Sequence, residues 1–169
     1  MRYASIRKMD ISNGVGLGIA LFVQGCHFHC KGCFNQETWD FNDGEEWTKN
    51  TEEEFLALLD NPYIDRVSIL GGEPLCEENI STVTKLAKLC KERYPDKLIW
   101  IWSGYEFKDH ISDLEIVKYA DYIIDGVYVD SLKDFNLYYR GSKNQHIWKK
   151  ENRNGTEKWR IYDNEFDMQ

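Results

Sequence analysis

Three apolar runs in this chain are each followed at once by a short polar turn, and that repetition constrains the fold more than any other feature. GIALFVQG, residues 18 to 25, runs into a cysteine-rich loop. RVSIL, residues 66 to 70, runs into GGEPL. KLIWIW, residues 97 to 102, runs into Ser103-Gly104-Tyr105. Apolar runs of this length bounded by turn residues read as buried strands. Between the first two, residues 48 to 59 carry Thr51 ahead of Glu54, a capping-box pattern, and then Phe55, Leu56, Leu58 and Leu59. That segment reads as a short helix ending near Asn61-Pro62. Between the second and third, Glu77 to Arg93 sets Ile80, Val83, Leu86, Ala87 and Cys90 on one helical face, and Tyr94-Pro95 stops it. A further helix over about 110 to 119 leads to a fourth strand, DYIIDGVYV. The tail holds two more strand-like stretches, QHIWKK and EKWRIYD, with an Asn154-Gly155 hairpin signal between them.

Strands alternating with helices imply right-handed βαβ units and a mainly parallel sheet. The chain has 169 residues, too few for a full eight-fold barrel of about 250. The expected fold is therefore α/β, a partial (open) β/α barrel of mainly parallel strands. No repeat or linker interrupts the chain, so residues 1 to 169 are expected to form a single domain. Ligands of such sheets sit at the C-terminal ends of the strands. The three turns are thus expected to converge on one edge.

The first turn is the densest in chemistry. VQGCHFHCKGCFN, residues 23 to 35, places Cys26, Cys30 and Cys33 within eight positions. A disulfide framework is disfavoured. The segment MRYASIRKMD has no apolar core of a secretory signal, no run approaches a membrane span, and five cysteines cannot all pair. The reading is cytoplasmic. The net charge of −8 and pI near 5.0 make nucleic acid or an anionic membrane a poor partner. Metal chemistry remains. A closed zinc site needs four protein ligands, and His27 or His29 could supply the fourth. A cubane iron–sulfur cluster normally takes four thiolates. Three would leave one iron open, which catalysis requires and electron transfer alone does not. Three inert core cysteines are a weaker reading, because lysine and histidine lie between them.

GGEPL, residues 71 to 75, serves equally as a tight strand-to-helix turn or as a site. Its glycines let backbone approach a ligand, and a carboxylate and free carbonyls accept from a cationic amine. Ser103-Gly104 is open to the same two readings. Cys76 reads as a partly buried thiol, Cys90 as core, and the two histidines as loop residues.

C-x3-C-x2-C after a strand closely resembles the signature of the radical S-adenosylmethionine (SAM) enzymes. The longer stretch DISNGVGLGIALFVQGCHFHCKGCFNQETWD resembles the N-terminal signature of the anaerobic ribonucleotide reductase-activating proteins. The matches are Asp10, Asn13, Gly14, Gly16, Phe22, Gly25, the three cysteines, Phe34, Asn35, Thr38 and Trp39. DNPYIDRVSILGGEPL and YYRGSKNQHIW resemble later blocks of the same family. The chain departs from it at Val15, where proline is frequent, at Gly18, where arginine is frequent, and at Phe34, where tyrosine is common.

The resemblance implies a [4Fe-4S] cluster on Cys26, Cys30 and Cys33, with SAM on the open iron. It implies SAM contacts from Gly32, Cys33, Phe34, Gly71, Gly72, Glu73, Ser103 and Gly104. It also implies a 5′-deoxyadenosyl radical that takes hydrogen from a glycine of the large anaerobic ribonucleotide reductase. An electron donor such as a flavodoxin would feed the cluster. Another small radical SAM enzyme, either a pyruvate formate-lyase-type activase or a small-molecule modifier, is the nearest alternative. A non-catalytic zinc-binding module is a more distant one, and a cluster protein that only passes electrons is a third.

Overall fold

The computed structural model describes residues 1–153 and 155–163; Asn154, half of the expected hairpin turn, lies outside them. Among the described residues the strands are β1 (Arg2–Asp10), β2 (Gly18–Val23), β3 (Glu45–Glu46), β4 (Arg66–Gly71), β5 (Leu98–Trp102), β6 (Tyr122–Asp125), β7 (His146–Arg153) and β8 (Thr156–Ile161). Two α-helices accompany them, α1 (Lys49–Ala57) and α2 (Glu77–Arg93). All strands join one sheet in the order β3-β1-β2-β4-β5-β6-β7-β8.

The centre of the sheet follows the expectation. The pairs β2–β4, β4–β5 and β5–β6 are parallel. The flanks do so only in part. The pairs β1–β2, β1–β3 and β6–β7 are antiparallel against it, and β7–β8 is the antiparallel hairpin expected of the tail. The partial β/α barrel of mainly parallel strands is thus overturned: the sheet is mixed and open, with β3 and β8 at its two edges.

Local features of the chain accompany the difference. β1 carries Arg2, Arg7 and Lys8, and most of its side chains are half-buried or exposed, so it shows no apolar run. At the other flank, β7 and β8 form a hairpin, which must be antiparallel. The expected helix over 110 to 119 is also missing. A π-turn at Phe107–Ile111 and a 3-10 turn at Glu115–Lys118 replace it. Leu114 between them is extended, with ψ 149°. That break lets Ile111 and Ile116 both bury fully.

Side-chain alternation splits the sheet into two faces. Ile19, Leu21, Val23, Val67, Ile69, Ile99, Ile101 and Ile123 form the main core with Phe55, Leu56, Val83, Leu86, Ala87 and Cys90 of α1 and α2. The opposite face carries Ala20, Phe22 and Leu70, and Trp100, Tyr122, Ile124 and Ile147. α1 starts one turn earlier than the capping-box reading, because the Thr48 hydroxyl accepts from the Thr51 N–H (3.1 Å).

Candidate functional site

The register brings the strand ends into line. Val23 pairs with Gly71, Ile69 with Ile101, and Trp102 with Ile124. The cysteine loop, the GGE turn and the SGY turn therefore leave the sheet along one edge. Backbone bonds then weld the first two together. Gly72 N donates to Val23 O (2.8 Å) and Glu73 N to Gly25 O (2.8 Å). Gly25 N and Cys26 N donate to Thr38 O and Trp39 O (2.8 and 3.1 Å), closing the cysteine loop at its base. The Gln24 amide adds bonds to Glu37 O and Asp40 O. The approach at Gly72 excludes any other residue: a Cβ there would collide with Gly25 O and lie 3.0 Å from Thr38 O.

A cavity of about 380 Å³ opens on this edge. Cys26, Cys30, Cys33, Phe34, Gly71, Gly72, Glu73, Ser103 and Gly104 all line it. Gly32 is not among the lining residues. It holds a positive φ of 75°, and a Cβ on it would lie 2.8 Å from Asp130 Oδ1, so it serves the turn between Cys30 and Cys33. His27 and His29 also face elsewhere, packed on Phe41 and Trp39 (ring centroids 4.5 and 4.6 Å), with His27 paired to Glu78. Cys76 and Cys90 are buried and do not line the cavity, and burial pushes each thiol up to about 12.

The three loop cysteines are half-buried. Burial raises the thiols of Cys26 and Cys30 above their ordinary value, partly offset by backbone N–H groups. Among the described residues, no three His, Cys, Asp or Glu side chains stand close enough to hold one metal ion. A cubane places each thiolate on a separate iron, so its ligands stand further apart than the ligands of one ion. The donor set on the cavity wall is three thiols, with no histidine and no fourth cysteine among the lining residues.

Glu73 is the buried charge of the site, 2% exposed. Its Oε1 accepts from Ser103 Oγ (2.8 Å) and Leu75 N (2.9 Å), and its Oε2 from Gly104 N (2.7 Å). Burial nonetheless pushes it up to about 7, against the pull of those donors. A carboxylate offers about four acceptor positions, so Oε2 retains one for a further donor. The Ser103 proton is committed to Glu73, and its oxygen accepts from Tyr105 N (3.1 Å). Ser103 thus supports the carboxylate.

The sequence reading missed much of the far wall. Tyr128, Tyr139, Arg140, Gly141 and Gln145 line it, from the long connection between β6 and β7. Gln145 ties that connection shut, accepting from Gly141 N (2.9 Å) and donating to Gly126 O (2.8 Å). The signal was present in YYRGSKNQ, a block noted for resemblance and given no role. Arg7, Ser12, Asn13, Phe22 and Trp102 also line the cavity.

A family model described as a 4Fe-4S single cluster domain matches residues 12–148. A phage T4 protein is 42% identical over 148 residues, 88% of this chain and 94% of its own length. A Vibrio cholerae protein is 37% identical over 150 residues, 87% of this chain and 97% of its own. An Escherichia coli K12 protein is 36% identical over 148 residues, 86% and 96% respectively. Each of the three is named an anaerobic ribonucleoside-triphosphate reductase-activating protein.

Proposed function

The chain belongs to the anaerobic ribonucleoside-triphosphate reductase-activating proteins, and on that premise we propose that it is a radical SAM activase creating a glycyl radical in the reductase. The observation that carries the reading is the convergence of three strand-end turns, with three thiols and a buried carboxylate, on one cavity. Cys26, Cys30 and Cys33 would hold the [4Fe-4S] cluster, leaving one iron for SAM. Cluster and SAM supply one-electron cleavage of a sulfonium bond and hydrogen abstraction from carbon. The protein supplies position and shelter. Glu73, fixed by Ser103, Gly104 and Leu75, presents its remaining acceptor to a cationic amine. The turn at Gly71 and Gly72 lets backbone approach the same group. Phe22, Phe28, Leu70 and Trp102 form apolar wall against water. Arg7 and Arg140 are the cations on that wall, suited to a carboxylate. Phe34, exposed at the mouth, is placed to meet the reductase segment. An external reductant such as a flavodoxin, a cytoplasmic setting and one domain over residues 1 to 169 complete the proposal.

The test is anaerobic reconstitution followed by reduction with SAM and the reductase. The expected protein is brown, with about four irons and four sulfides per chain. Deuterium on the reductase glycine should appear in 5′-deoxyadenosine. Cys26→Ala, Cys30→Ala and Cys33→Ala should each abolish iron retention and SAM cleavage, and Cys90→Ala should preserve both. A colourless protein with one zinc, or an active mixture without deuterium transfer, would overturn the reading.

A further inference from the structure

Arg66 opens β4 and is wholly buried, 0% exposed, a rare position for arginine. It shares its face of the sheet with Ser68 and Leu70, the face on which the cavity lies. Its guanidinium reaches across to the segment between β1 and β2. Nε donates to Val15 O (3.1 Å), and Nη2 donates to Asp10 O and to Asp10 Oδ1 (2.9 Å each). Nη1 donates to Ser68 Oγ, which donates on to Asn13 O. Asp10, itself 3% exposed, accepts from Asn13 N and Asn13 Nδ2 (2.9 Å each). Arg66 thus anchors residues 10 and 15 directly, and residue 13 through Ser68, in a segment whose Ser12 and Asn13 line the cavity.

Gly18 sits directly beside Arg66 on the neighbouring parallel strand. A Cβ on Gly18 would lie 2.6 Å from Arg66 Cγ and 2.7 Å from Cζ. Registered residues on adjacent strands are only about 4.8 Å apart, and both would project to the same side. The two positions share one slot, and only one of them can fill it.

We infer that Arg66 is a positioning residue that holds the 10–16 loop as a wall of the cavity, and that its guanidinium could be delivered to the same slot from position 18. The slot accounts for the absence of a side chain at Gly18. The inference rests on the proposed function only for the identity of the ligand, SAM.

Four variants test it in the reconstituted holoenzyme: Arg66→Gly, Arg66→Lys, Gly18→Arg, and the double variant Gly18→Arg/Arg66→Gly. Two readouts are used, amide hydrogen exchange over residues 11–16 and the dissociation constant for SAM. Arg66→Gly should speed exchange and weaken SAM binding, each by about tenfold or more, since charge-assisted hydrogen bonds are lost. Arg66→Lys keeps a charge near Asp10 but cannot reach all the acceptors, so it should show the same direction if Arg66→Gly fails to fold. Gly18→Arg alone should be destabilised by collision. The double variant should recover slow exchange and SAM affinity. Cys90→Ala, a core change remote from the loop, should move neither readout. The inference is overturned if loop exchange and SAM affinity are unchanged in both Arg66 variants, or if the double variant is no better than Arg66→Gly. If SAM fails to bind even the wild type, the functional reading falls, and loop exchange alone decides this one.

Discussion

Glu73 shows how one residue can be costly to the fold and useful to the site. Removing its carboxylate from water outweighs three donors, and the group rises from 4.5 to about 7. That rise corresponds to differential stabilisation on the order of 3 kcal/mol. The sign follows from proton linkage: the native state holds the proton more tightly, so the contribution is complete below 4.5 and is lost as pH rises through about 7. Glutamine at this position cannot titrate. The stability of the wild type relative to Glu73→Gln should therefore fall by roughly 3 kcal/mol between pH 4 and pH 8, read by urea denaturation of the apoprotein. A difference that stays flat with pH would show that burial does not control this carboxylate. GGEPL marked Glu73 as a candidate acceptor for a ligand amine. Its network with Ser103 and Gly104 was not legible there, because those partners lie 30 and 31 positions away.

At the scale of elements, the turns after β2 and β4 behave as one unit. The contact that makes them so is the approach of Gly72 to the Gly25 carbonyl, which also accepts from Glu73 N. Gly72→Ala should cost about 1–3 kcal/mol, the usual penalty for overpacking. It should also lower iron retention, since it pushes the base of the cysteine loop away from Glu73. Urea denaturation and iron analysis check the two effects. Elements with a strong period were visible in the sequence: β2, β4, β5 and α2 stand where their apolar patterns put them. β1 was invisible for a physical reason. It is a half-solvated strand whose charged residues face water or the cavity side, as Arg7 does over the Phe22 ring (4.4 Å). The segment after β5 misled in the opposite sense. Its apolar residues have helical spacing, but Leu114 breaks the helix so that two anchors can reach the core.

For the whole molecule, the division of labour between the two faces of the sheet is the governing feature. Helices cover one face and make the core, while loops over the other make the cavity. Local stability should follow that division. Hydrogen exchange of the apoprotein should be slowest in β2, β4, β5 and α2, and faster in residues 26–39 and 126–145. Equal protection across core and loops would contradict it. No helix among the described residues is long and apolar enough to cross a membrane. What the sequence determined by itself is local or periodic: the cysteine spacing, the GGE and SGY turns, the parallel centre, and the family to which the chain belongs. Each is written in neighbouring residues, where spacing alone carries the information. Only the tertiary structure decided the antiparallel pairing of β1 with β2 and of β6 with β7, the wall supplied by residues 128 to 145, the bonding of Ser103 to Glu73, and the slot shared by Gly18 and Arg66. These depend on strand pairing and register, which bring together residues tens of positions apart that no local pattern connects.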